Sequence, residues 1–156
     1  MGFAADVPQD CFSCRENADP QSSLQTRFVR TPAWRVAHAF DVALPGWLVV
    51  LPRRHVTAMA QLTADEAAEL GSLLQRLSVA LEQVTGCVKT YVMQFAEAPG
   101  YQHLHVHLVP RQADIPPDRL GPRVFGYLGV PPGQQIPQSE IDRVVDALVE
   151  AMAGSE

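Results

Sequence analysis

The stretch His103-Leu-His-Val-His-Leu-Val109 decides how the middle of the chain folds. Side chains of a β-strand point alternately to opposite faces of a sheet, so this pattern predicts a strand with three imidazoles on one face. The intervening positions 104, 106 and 108 are apolar and are predicted to face a core. A neutral imidazole is a nucleophile, a general base, a hydrogen-bond donor to an anion or a metal ligand. The segment therefore predicts a site with chemistry on one sheet face.

The elements around this strand follow from local patterns. Thr63-Ala-Asp-Glu66 is a capping-box pattern, and leucines at helical spacing follow it as far as Gly86. They predict one long helix. Strands on both sides of that helix indicate an α+β domain whose neighbouring strands are antiparallel.

The remaining boundaries are predicted from apolar runs and from Pro and Gly. Strands are predicted over residues 34–40, 47–51 and 88–95, and the histidine strand is predicted to end at Pro110. Residues 1–10 are predicted to be a loose lead-in, and residues 111–137 an ordered Pro/Gly-rich loop. A last helix, capped by Ser139, is predicted over residues 139–153.

Length and composition describe a single domain, residues 1–156, with ordinary proportions of apolar (47%) and charged (19%) residues. The net charge of −5 argues against nucleic acid and anionic membranes as partners. No apolar run reaches the roughly 20 residues of a membrane span, and the N-terminus does not resemble a signal peptide. Three cysteines without a secretion signal predict a cytoplasmic protein with no disulfide framework.

The histidine strand has three interpretations from its residues alone. In the first, the imidazoles are structural and are bonded to backbone or carboxylates. In the second, they bind one catalytic metal ion, and in the third, one of them is a nucleophile assisted by its neighbours.

Three motifs resemble those of the histidine-triad (HIT) superfamily of nucleotide hydrolases and transferases. His103 to Val109 matches its His-φ-His-φ-His-φ-φ signature, in which φ is apolar. Pro45-Gly-Trp-Leu-Val-Val-Leu-Pro-Arg-Arg-His55 resembles the family's Pro-Gly-His-x-Leu-Val-Ile-Pro-Lys-x-His segment, and Cys11-Phe-Ser-Cys14 resembles an N-terminal Cys-x-x-Cys of many bacterial members. The three motifs occur in the family order over residues 11–111.

The resemblance implies a fold and a mechanism. The expected fold is an antiparallel sheet of about five strands with one long helix and a C-terminal helix, usually as a homodimer. The middle histidine, His105, is implied as the nucleophile that attacks the α-phosphorus of a nucleotide, and His107 as a donor to the phosphoryl oxygens. Gln94 occupies the place of a family amide that contacts the substrate, although a surface amide explains it as well. No metal is needed for this chemistry.

Cys11 and Cys14 also suit a structural zinc site, because thiolates at this spacing occupy two tetrahedral positions. By resemblance, His55 and His103 complete the ligand set. A redox pair is the alternative interpretation of two cysteines at this spacing.

Two positions depart from the family pattern. Trp47 stands where the family has a histidine that lines the active site, and an indole does not bind a proton at neutral pH. His38 is either its replacement or a structural histidine. The segment Ala98-Pro-Gly-Tyr-Gln102 is shorter than its family counterpart and has no hydroxyl to offer to a leaving group through Ser or Thr.

The sequence therefore predicts a nucleotide phosphohydrolase or nucleotidyl transferase that forms a nucleotidyl-histidine intermediate. The alternatives are a metal-dependent hydrolase with His103, His105 and His107 as ligands, and a zinc-stapled module that binds nucleotides without catalysis.

Overall fold

The computed structural model describes residue 8 and residues 10–22 and 28–154. Within these residues, five strands form one sheet: β1 (Val29–Arg30), β2 (Trp34–His38), β3 (Leu48–Pro52), β4 (Lys89–Gln94) and β5 (Val106–Arg111). The strand order is β1-β2-β3-β5-β4, and every neighbouring pair is antiparallel. Three α-helices accompany the sheet: α1 (Phe12–Ala18), α2 (Ala64–Thr85) and α3 (Gln138–Ala153). The predicted α+β class and its antiparallel sheet are confirmed.

The long helix α2 begins and ends as its sequence predicts. The Thr63 side chain accepts from the backbone N–H of Glu66, and the Glu66 carboxylate accepts from the backbone N–H of Thr63. This capping box pairs N–H groups that the first turn leaves without helical partners. Gly86 ends the helix with φ +67°, a left-handed conformation that glycine adopts without strain.

The three inner strands β2, β3 and β5 are almost entirely buried, which is why their sequences are mostly apolar. Helices α2 and α3 cover one face, where Leu104, Val106 and Leu108 pack against leucines of α2. The segment 112–137 folds over part of the other face and contributes the buried Val124. This predicted loop contains three short 3₁₀ helices, at Pro117–Arg119, Gly121–Tyr127 and Pro132–Gln134.

The structure corrects the histidine strand. His103 and His105 precede β5, which begins at Val106 and continues through Pro110 to Arg111. The cause is the lack of partners: β3 and β4 pair with β5 only from Val106 onward. Of the three histidines, only His107 lies in a strand.

The predicted cap of the last helix is also wrong. Ser139 lies inside the first turn of α3, which begins at Gln138 after Pro137. The Pro137 carbonyl accepts from the backbone N–H groups of Glu140 and Ile141, so the chain enters the helix without a side-chain cap.

The short strand β1 was not predicted, because two residues carry no alternation to recognise. Most of the lead-in predicted over residues 1–10 lies outside the described residues. No helix among the described residues is long and apolar enough to cross a membrane.

Candidate functional site

A cavity of about 620 Å³ opens on the sheet face that α2 does not cover. Strands β2 and β3 form its floor, and His105 and His107 line it beside Val49. Val49 pairs with His107 in the register of β3 and β5, so both side chains point to the same face. The strand register thus places His107 at the cavity wall, and His105, two residues earlier, lines the same cavity.

His105 is held in a single orientation by its own chain. Its Nδ1 lies 2.7 Å from the carbonyl oxygen of His103, so the Nδ1–H donates to that oxygen. A neutral imidazole with its proton on Nδ1 carries a lone pair on Nε2. Since His105 lines the cavity, this is the arrangement that a nucleophilic imidazole requires.

His107 is held by Trp47, the residue that departs from the family pattern. Trp47 is fully buried, and its Nε1–H donates to His107 Nδ1 over 3.1 Å. Burial, reinforced by the neighbouring His105, lowers the pKa of His107 to about 4. His107 is therefore a neutral imidazole at physiological pH.

His38 does not take the place of the missing family histidine. Its Nδ1–H donates to the carbonyl oxygen of Ala39, and its Nε2 accepts from the backbone N–H of Gly46. Burial lowers its pKa, so it is neutral. With both ring nitrogens occupied, His38 fixes the turn before β3 and is a structural histidine.

The four residues predicted as metal ligands lie together beside the cavity. They are Cys11, Cys14, His55 and His103, and one ligand atom from each lies within 4.8 Å of the others. Cys14 Sγ is 3.2 Å from His55 Nδ1 and 3.4 Å from His103 Nδ1. His103 Nδ1 is also 3.6 Å from Cys11 Sγ and 3.3 Å from His55 Nδ1.

These separations fit a tetrahedral metal ion. Zn–N bonds of about 2.0–2.1 Å and Zn–S bonds of about 2.3 Å at tetrahedral angles place ligand atoms roughly 3.3–3.8 Å apart. His103 Nε2 lies 2.8 Å from the Pro52 carbonyl, so its Nε2–H donates there and Nδ1 keeps a lone pair for a metal. Burial and the nearby Cys11 raise the pKa of Cys14 to about 12, and a bound cation would favour the thiolate that acts as a metal ligand. The four residues can bind a metal ion.

The alternative of three histidines on one metal is not favoured by their orientations. His103 directs Nδ1 to the two cysteines, while the Nδ1 atoms of His105 and His107 are engaged by a carbonyl and by Trp47. In the described part of the chain, the group of four is the one set of three or more His, Cys, Asp and Glu side chains close enough to share an ion.

The Gln94 side chain is on the opposite sheet face from His107. It pairs with Val106 in the register of β4 and β5, and so shares the face covered by α2, whereas Met93 pairs with His107. Its predicted contact with a substrate stays a prediction, and the register does not favour it.

Several cavity residues were not predicted from the sequence. The aromatic rings of Phe12, Phe40 and Tyr101 form a cluster at the cavity, with centroids 5.4 to 6.3 Å apart. Arg35 lies buried in the wall, where burial lowers its pKa to about 10. Asp41 lies at the rim with φ +52°. The sequence shows Arg35 as a charged residue within an apolar strand, but it does not show that Arg35 lines a cavity. The positive φ of Asp41 cannot be recognised from the sequence.

An antiparallel α+β domain with a histidine cluster on its open sheet face defines a histidine-triad type of protein. The model of the HIT domain family matches residues 22–114, and the chain belongs to this family.

Individual relatives are consistent with that membership. The chain is 33% identical over 72 residues to a bis(5'-adenosyl)-triphosphatase of Dictyostelium discoideum, a match that covers 44% of this chain and 48% of that protein. The chain thus spans about half the length of this curated relative.

Solved structures share the fold. A zinc-bound histidine triad family protein from Mycobacterium smegmatis has a TM-score of 0.67 at 15% identity, over 93% of this chain and 97% of that chain. A histidine triad protein from Bradyrhizobium japonicum has a TM-score of 0.64 at 24% identity, over 82% and 91%.

Proposed function

We propose that the chain is a nucleotide hydrolase or nucleotidyl transferase that acts at an α-phosphate through a nucleotidyl-His105 intermediate. The observation that carries this proposal is the bond from His105 Nδ1–H to the His103 carbonyl, because it leaves the lone pair on Nε2 of a residue that lines the cavity. The family membership and the triphosphatase relative support a nucleotide anhydride as the substrate.

The first step joins substrate and enzyme. His105 Nε2 attacks the α-phosphorus, a P–N bond forms, and the P–O bond to the leaving group breaks with its electron pair on oxygen. The Nδ1–H stays on the ring, so the nucleotidyl-histidine is cationic, and the His103 carbonyl stabilises that charge.

The second step releases the nucleotide. Water, or an acceptor such as phosphate, attacks the phosphorus from the side opposite to His105. The P–N bond breaks, its electron pair returns to Nε2, and the proton of the attacking water leaves to solvent. The starting tautomer of His105 is restored.

The other cavity residues bind and orient the substrate. His107 donates from Nε2–H to a phosphoryl oxygen, where negative charge grows in the transition state. The aromatic cluster of Phe12, Phe40 and Tyr101 offers ring faces on which a base stacks. The Asp41 carboxylate at the rim accepts hydrogen bonds from ribose hydroxyls.

Zinc is the metal proposed for the cluster of Cys11, Cys14, His55 and His103, given its two thiolate and two imidazole donors. When bound, zinc supplies structural cross-linking. Bound there, it would hold α1 against the sheet and so keep Phe12 in the cavity wall. The homodimer and the cytoplasmic location remain proposals that rest on the family resemblance and on the sequence.

The test is intact-mass spectrometry of the protein mixed rapidly with diadenosine triphosphate, with His105→Asn as the comparison. Asn is a matched replacement, because its side-chain amide keeps the donor to the His103 carbonyl and removes only Nε2. We expect a trapped adduct of adenylate mass on the native protein and none on the variant.

Adenosine monophosphate binding, measured by calorimetry, is the control for folding of the variant. Turnover that persists in His105→Asn overturns the nucleophile assignment. Binding of the nucleotide by both proteins without adduct or product favours a module that binds nucleotides and does not cleave them.

A further inference from the structure

Trp47 is held in one orientation beside His107. It lies just before β3, is fully buried, and packs with Ala39, Val42, Val109 and Val124. The Phe125 ring lies 5.5 Å from it, edge to face, and the His107 ring stands at 88° to the indole plane. The indole N–H is therefore aimed at His107 by packing from several elements.

An indole N–H only donates hydrogen bonds, and this fixes the tautomer of its partner. His107 Nδ1 must present a lone pair, so the single ring proton of the neutral imidazole is on Nε2. The opposite tautomer would place two N–H groups against each other in a buried site, leaving both donors unsatisfied. The ring centroid of His105 lies 4.9 Å from that of His107, and His105 is the opposite tautomer, with its proton on Nδ1.

The same bond removes a route for protons. An imidazole at position 47 can pass a proton to His107 Nδ1 while Nε2–H is given to a leaving group. Trp47 cannot, since the indole N–H is not released at neutral pH. If His107 gave up its Nε2 proton here, it would become an imidazolate, which is not accessible. His107 therefore binds a phosphoryl oxygen but does not protonate a leaving group.

We propose that Trp47 is a positioning residue that holds His107 in the Nε2–H tautomer and thereby restricts the reaction to leaving groups that depart as anions. This proposal rests on the function proposed above. Acid anhydrides fit it, because the P–O bond breaks with its electron pair on a phosphate oxygen that is stable as an anion. Phosphoramidates of alkyl amines do not fit, because the departing nitrogen must gain a proton as the P–N bond breaks.

The first arm of the test measures the tautomer without any turnover. Long-range ¹H–¹⁵N correlation spectra of the zinc-loaded protein report which ring nitrogen of each histidine carries the proton, and His107→Asn assigns the His107 signals. We expect Nε2–H at His107 in the native protein and a mixture of tautomers in Trp47→Phe, which keeps an aromatic ring but has no donor. A native spectrum with the proton on Nδ1, or an unchanged spectrum in Trp47→Phe, overturns the positioning role.

The second arm compares leaving groups. Values of kcat/KM are measured for diadenosine triphosphate and for an alkyl phosphoramidate of adenosine monophosphate, in the native protein and in Trp47→His. We expect the native protein to prefer the anhydride, and the ratio to shift at least ~10-fold toward the phosphoramidate in Trp47→His, mainly through kcat. An unchanged ratio overturns the restriction.

The two arms separate this proposal from the function beneath it. Absence of turnover of both substrates by every protein overturns the proposed function, and with it the restriction on leaving groups. The tautomer at His107 is still decided by the spectra. Should Trp47→Phe fail to fold, the native spectrum and the Trp47→His ratio each remain able to refute the role of Trp47.

Discussion

Lowering the pH from 7 to 5 should destabilise the fold through His107, because the unfolded chain binds a proton at this residue while the folded chain does not. Burial and the neighbouring His105 hold its pKa at about 4 in the folded chain, whereas an exposed histidine has a pKa of about 6.5. Between these values the unfolded chain binds a proton that the folded chain does not. The stabilising contribution of His107 is therefore complete above pH 6.5 and is lost as the pH falls toward 4.

The expected size follows from the pKa difference. From pH 7 to pH 5 the unfolded histidine titrates through about 1.5 pH units while folded His107 stays neutral, which corresponds to roughly 2 kcal/mol of unfolding free energy. The assay is urea unfolding at the two pH values, for the native protein and for His107→Asn. The Asn side-chain oxygen takes the place of Nδ1 and accepts from Trp47 without titrating.

Comparison with the variant isolates His107, because every other titratable group is the same in both proteins. The native protein should lose about 2 kcal/mol more than His107→Asn between pH 7 and pH 5. An equal loss in the two proteins would refute the reasoning, since it would mean that folded His107 binds a proton as easily as the unfolded chain does.

Three other predictions concern stability and metal binding. Thr63→Ala should lower the unfolding free energy by about 1 kcal/mol in urea titrations, since it removes the cap of α2, while Thr63→Ser should stay near native. Gly46 and Gly100 both have a positive φ, of +83° and +80°, but only at Gly46 would an added Cβ meet Leu81 and Thr85 at 3.2 Å. Gly46→Ala should therefore lower the unfolding free energy by about 1 kcal/mol or more beyond the effect of Gly100→Ala in the same assay. Cys14→Ser should lose the bound zinc, measured by elemental analysis, and should lower the Tm by several degrees in calorimetry. Cys87 is buried outside the cluster, so Cys87→Ser should retain the metal. Equal zinc content in both variants would contradict the ligand assignment.

The features that could be predicted from the sequence are those fixed by neighbouring residues. The capping box at Thr63 and the left-handed Gly86 define α2 through contacts within a few positions, so they are readable from the chain alone. The start of β5, in contrast, could not be predicted from neighbouring residues. Alternation continues back to His103, but a strand needs a partner, and β3 and β4 offer none before Val106.

The site was predictable only where a motif recurs as a unit. The histidine segment and Cys11-x-x-Cys14 led to the metal cluster because the resemblance supplied His55 as well. The bond from Trp47 to His107 joins residues 60 positions apart, and nothing in either local sequence shows it. The aromatic cluster of Phe12, Phe40 and Tyr101 was missed for the same reason.

The seven-residue helix α1 has a consequence for anyone who wants to change what this cavity accepts. Cys11 and Cys14 hold the helix, while Phe12, Ser13 and Glu16 form part of the cavity wall. A helix this short does not persist in water without such an anchor. A library that randomises positions 12, 13 and 16 and keeps both cysteines would therefore sample new cavity shapes on a fixed support.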